Sequence, residues 1–154
     1  MTARKIAFLG TVVVAVYAVI AVLQTLVWNP LAAAPGKTIE QIYADVAGAS
    51  ESMHVPFVLA AAAVVVGLAG LAWWLTSRDG TSRDVTAANY AGLLVMGALA
   101  YFWMSFGPGM SLADTYGISG GDHAPWASVL YLVSLMALAG LTVLTVRYVR
   151  RAEA

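Results

Sequence analysis

His54 and His123 are the only imidazoles in the chain, and each opens the same short pattern: His54-Val55-Pro56-Phe57 and His123-Ala124-Pro125-Trp126. Imidazole is a common ligand for zinc and copper, and a facing pair can hold a haem iron. Glu51 and Asp122 stand close in sequence to the two histidines and, with Asp114, are the carboxylates that could complete such a shell. One reading is therefore a metal or haem site at His54 and His123, with Asp122 and Glu51 as further ligands. The plainer reading makes both histidines interfacial side chains and Asp122 the N-cap of the helix that follows it.

Other chemistry is excluded by what the chain lacks. It has no cysteine, which removes disulfides, thiolate metal sites and thiol nucleophiles. Asp114 and Asp122 lie on one glycine-rich stretch, a poor geometry for a carboxylate dyad. No serine or threonine pairs with a recognisable base, and no glycine-rich phosphate loop occurs. The eight basic and eight acidic residues cancel, leaving no field that would draw the chain to nucleic acid.

The elements that must position these residues follow from composition. Of the 154 residues 61% are hydrophobic and 10% charged, with a mean hydropathy of +0.81. Ordinary soluble proteins carry roughly 45–50% and about 25%. A single soluble domain of this length could not hide that much apolar surface. Spanning a bilayer takes about 20 apolar residues in a helix, and four stretches qualify, at 6–28, 55–76, 85–106 and 125–146. The first run of 23 residues exceeds the apolar core of a secretory signal, about 7–15 residues, so it is expected to remain as a span. The predicted fold is an all-α membrane protein, one four-transmembrane-helix bundle over residues 1–154.

Lysine and arginine orient it. Arg4, Lys5, Arg78, Arg83, Arg147, Arg150 and Arg151 fall at the termini and the second link; only Lys37 falls in the other two. Seven basic residues against three acids give one side a net charge of +4, and one against five gives the other −4. The rule places both termini in the cytoplasm. Trp28 and Trp126 mark the outer boundary, Trp73 and Trp74 the inner one. Alanine, valine and glycine richness suggests a bacterium, and hence the inner membrane.

In the first outer link, Thr38 and Gln41 have capping-box spacing, and Ile39, Ile42, Tyr43 and Val46 share one helical face. A short amphipathic helix is predicted from about Ile39 to Ala47, lying on the outer surface as a lid on the bundle. Gly107 to Ala124, with five glycines, reads as a mobile loop. Asp79-Gly80 signals a turn, with Asp84 or Thr86 capping the next helix. Trp28-Asn29-Pro30 and Phe106-Gly107-Pro108 repeat an aromatic-x-Pro exit, as the histidines repeat an entry, which suggests two duplicated hairpins.

Inside the spans there is no ionisable side chain away from the ends, which argues against proton-coupled transport. Gln24 and Asn89 are expected to make interhelical hydrogen bonds. Stripes of small residues at Ala63, Gly67 and Gly70, at Ala88 and Gly92, and at Ala137 and Gly140 let helices approach closely, within the bundle or against another subunit. Met96, Met104, Met110, Phe102, Trp103 and Phe106 either fill core gaps or receive a lipid tail. The leading expectation is a non-enzymatic accessory or scaffold subunit that binds a protein partner or lipid and carries no cofactor. The alternatives are the metal or haem protein above, and an oligomeric channel or carrier lined by Ser105, Ser128, Ser134 and Thr142.

Overall fold

The computed structural model describes residues 2–152; Met1, Glu153 and Ala154 lie outside them. Five helices follow one another, with no strand among the described residues: α1 (Ala3–Ala33), α2 (Ile39–Gly48), α3 (Val55–Asp79), α4 (Arg83–Tyr116) and α5 (Trp126–Ala152). Four of them, all but α2, are long and apolar enough to cross a membrane. The helix starts have local causes. Thr2 accepts from the Lys5 amide at the head of α1. Ser82, one residue before α4, accepts from the Val85 amide and takes the capping place expected of Asp84 or Thr86. Gly80, in the left-handed region at φ 61°, ends α3 at the predicted turn.

Two helices run further than predicted. α4 does not stop at Phe106 but carries Pro108 inside it and ends at Gly117, whose φ of 65° caps it as its amide donates to the Ala113 carbonyl. The stretch 107–116, expected as mobile loop, is thus helix, and its last ten residues rise about 15 Å beyond the predicted span. The connection that remains is folded against α4: a Cβ on Gly109 would lie 2.6 Å from the Gly120 carbonyl oxygen. Glycine serves close approach there, not looseness. α1 likewise passes through Pro30. It does so by way of a π-helical turn, Gln24–Trp28. Proline has no N–H to give the carbonyl four residues back; the Leu26 carbonyl accepts instead from the Tyr43 hydroxyl of α2 at 3.0 Å.

α2 forms where predicted, with both halves of its Thr38–Gln41 capping box closed. Ile42 and Val46 are fully buried against Ala34, Met53 and Leu112, so the helix is a lid on the projecting ends of α1 and α4. Lys37 pairs with Asp45, which also accepts from the Tyr116 hydroxyl at 2.8 Å.

Along the bundle, tyrosines lie on glycines. Tyr90 of α4 covers Gly10 of α1, and Tyr17 of α1 covers Gly97 of α4. Each hydroxyl reaches a third helix: Tyr90 donates to the Ala69 carbonyl on α3 at 3.1 Å, and Tyr17 meets Ser134 on α5 at 3.2 Å. Ser134 in turn donates to the Leu94 carbonyl. The predicted small-residue stripes are elsewhere: nothing lies within 4 Å of a Cβ built on Gly67, Gly70, Gly92 or Gly140. These four glycines therefore make no close helix contact within the chain, whereas Ala88 and Ala137 are half-buried.

Candidate functional site

The π-helical turn carries the most telling polar side chains. Widening a helix by one residue re-aims the groups on it, and such turns recur at functional sites. Gln24 is wholly buried in it. Its amide nitrogen donates to the Ala124 carbonyl at 3.2 Å and to Asp122 at 3.4 Å, while its oxygen, and the neighbouring Thr25 hydroxyl, have no hydrogen-bond partner. Tyr101, 1% exposed on α4, donates to the same Asp122 oxygen at 2.5 Å. Asn29 completes the arrangement from α1, its side-chain oxygen accepting from the amides of His123 (2.6 Å) and Ala124 (3.4 Å). Two helices, α1 and α4, therefore converge on the short connection before α5 and hold it in place.

The same connection walls a lateral recess of about 180 Å³. Asp122 lines it, with Ser105, Phe102 and Phe106 from α4 and Tyr131 from α5. Around it the surface is aromatic and open: Phe102, Trp103 and Phe106 are 45–60% exposed and their ring centroids lie 5.6–6.5 Å apart in edge-to-face and tilted pairs. Of the side chains expected to fill core gaps, only Met104 does so; Met96 and Met110 are exposed with the aromatics. Trp28 and Trp126 pair at 5.2 Å near this end of the bundle.

The four predicted ligand residues fall into separate contact sets. His54, at φ 48° and exposed, sits against Gly107, where its ring would crowd any added Cβ. His123 turns its Nε2 to the Ser119 carbonyl at 3.0 Å. Glu51 accepts from Ser111 at 3.0 Å. Asp122 belongs to Tyr101 and Gln24, and so does not act as the expected N-cap of α5. Among the described residues no three His, Asp or Glu side chains come together as a group that could hold a metal ion. The polar spans divide similarly. Gln24, expected to bond another helix, bonds instead the connection before α5, and Asn89 is exposed. Ser134 is locked between helices, and Thr142, exposed, bonds back to the Leu138 carbonyl.

Tyr101 is the member that sequence reasoning missed, because a tyrosine in an apolar run reads as one more apolar residue. The only available signal was its position one residue before the Phe102-Trp103 pair, near the level of Gln24. Outside the predicted spans, two carboxyls of α2 are held below the usual carboxylate range: Asp45 by the Lys37 ammonium and then the Tyr116 hydroxyl, and Glu40 by a backbone hydrogen bond and then the Thr38 side chain. No protein-family model, curated protein or solved structure matches the chain.

Proposed function

We propose that this chain is a multi-pass protein of a bacterial inner membrane, with the arginine-rich end and both termini in the cytoplasm, and that it is a non-enzymatic accessory or scaffold subunit holding a lipid at its lateral recess. The single observation that carries the binding role is the recess itself: polar at its depth, through Asp122 and the buried Tyr101 and Gln24 behind it, and aromatic at a rim turned outward. An amphiphile has that profile, a polar head joined to an apolar tail. The outward small-residue stripes support a second contact, with a partner helix that can approach the backbone of α3 at Ala63 and Gly67.

The duplicated-hairpin reading draws support from reciprocal contacts. Asn29, from the exit of the first hairpin, holds the entry of the second at His123; Gly107, from the exit of the second, receives His54 of the first. Each half thus rests on the other at equivalent positions.

Retained lipid tests the reading. Protein extracted in mild detergent and examined by native mass spectrometry is expected to carry lipid, and Ser105→Trp, which places an indole in the recess, is expected to displace most of it. Equal retention by the two proteins would contradict lipid binding there.

A further inference from the structure

We propose that the recess takes the ammonium headgroup of a membrane phospholipid, with Asp122 as its counter-ion and Phe102, Phe106 and Tyr131 as its aromatic walls. This rests on the lipid-binding reading of the same recess and deepens it by naming the head. Asp122 is exposed in the recess and has no basic partner: the two ion pairs among the described residues are Lys37–Asp45 and Arg151–Asp84, both elsewhere. One of its oxygens is held by Tyr101 and Gln24, which fixes the direction of the carboxylate and leaves the other oxygen free for a ligand. No ion pair among the described residues supplies Asp122 with a counter-charge.

The walls select the sign and the shape. Aromatic faces attract a cation placed within about 6 Å of the ring, and three of the lining side chains are aromatic. No Lys or Arg lines the recess, so a purely anionic head such as glycerol phosphate would meet a carboxylate with nothing to offset it. A volume of about 180 Å³ is below the roughly 300 Å³ of a site for a whole small ligand, and suits a head with its tail left outside. Outside the recess the tail meets Trp103 and the exposed edges of Phe102 and Phe106. That continuity is the reason for a lipid source rather than a soluble amine.

The test uses the full chain in detergent, delipidated and titrated with phosphatidylethanolamine or phosphatidylglycerol of identical acyl chains, read by native mass spectrometry. Ethanolamine without a tail is the third ligand. Wild type is expected to bind the ethanolamine lipid about tenfold more tightly than the glycerol lipid, a ratio within the range of an ion pair plus a cation–π contact. Asp122→Asn keeps an acceptor for Tyr101 while removing the charge, and is expected to abolish that preference; Asp114→Asn, at an exposed carboxylate that does not line the recess, is expected to keep it. Phe106→Leu keeps an apolar wall without a ring face and is expected to lower the preference about threefold. Equal binding of the two lipids by wild type, or an unchanged preference in both Asp122→Asn and Phe106→Leu, would overturn the proposal. If both lipids bind equally and Ser105→Trp still displaces them, the headgroup assignment fails and lipid binding stands. If neither binds, both fail. Ethanolamine binding as tightly as its lipid would overturn the lipid source.

Discussion

Gly10 and Gly97 hold the bundle together because each gives a tyrosine ring a place to lie, and the tyrosine then delivers its hydroxyl to a third helix. A side chain at Gly10 would enter the volume of the Tyr90 ring. Gly10→Leu is accordingly expected to lower stability by about 1–3 kcal/mol, as overpacking does, seen as a lower midpoint in thermal unfolding in detergent. Gly67→Leu, with open space around it, is expected to leave that midpoint almost unchanged. Tyr90→Phe removes only the hydroxyl and is expected to cost about 0.6 kcal/mol, the usual size of an interhelical hydrogen bond in a membrane. Thr25→Val tests the opposite case: the hydroxyl is buried without a partner, so a residue of equal shape lacking it is expected to be neutral or stabilising. Part of the site was legible at this scale. Gln24 and Asp122 stood out as rare polar residues near the span ends, but they lie 98 residues apart, Tyr101 lies 21 residues from its partner Asp122 and Asn29 94 from its partner His123, and nothing local in the sequence encodes such pairings.

α2 is the element most exposed to test, since its docking depends on a few named contacts. Tyr43→Phe removes the hydroxyl that donates to the Leu26 carbonyl, at a cost of about 0.5–1.5 kcal/mol. Because that carbonyl lies within the π turn of α1, the loss is expected to appear as faster hydrogen exchange in both α2 and residues 24–33. The lid should also respond to acid. Asp45 has its folded value depressed by Lys37 and Tyr116, so its contribution is complete above the ordinary carboxylate range and is lost as pH falls through the lower folded value. Exchange in Ile39–Gly48, corrected for its intrinsic pH dependence, is expected to quicken only in that acid range, and Asp45→Asn to remove the transition. The existence and the buried face of α2 were readable because both are local: a capping box and a helical period. The end of α4 was not. Pro108 and five glycines are the local marks of a break, while the packing of Leu112 under α2 that carries the helix past them comes from residues distant in sequence. The π turn escaped for the same reason.

At the scale of the whole molecule, seven of the eight basic residues gather at the termini and the link between α3 and α4, and the lid and the recess occupy the opposite end. Four apolar helices were legible from length and hydropathy alone, because lipid rewards composition more than detail. Which side each end occupies is the claim on which the recess, its lipid and the counter-ion role of Asp122 all depend. The chain has no native cysteine, so single cysteines report position without background. The most direct measurement is labelling of Ala44→Cys in α2 and of Ser77→Cys near the end of α3 with a membrane-impermeant maleimide in intact cells. Ala44→Cys is expected to react at once and Ser77→Cys only after the membrane is permeabilised. Reaction of Ser77→Cys in intact cells, or protection of Ala44→Cys, would contradict the proposed placement of this bundle in the membrane.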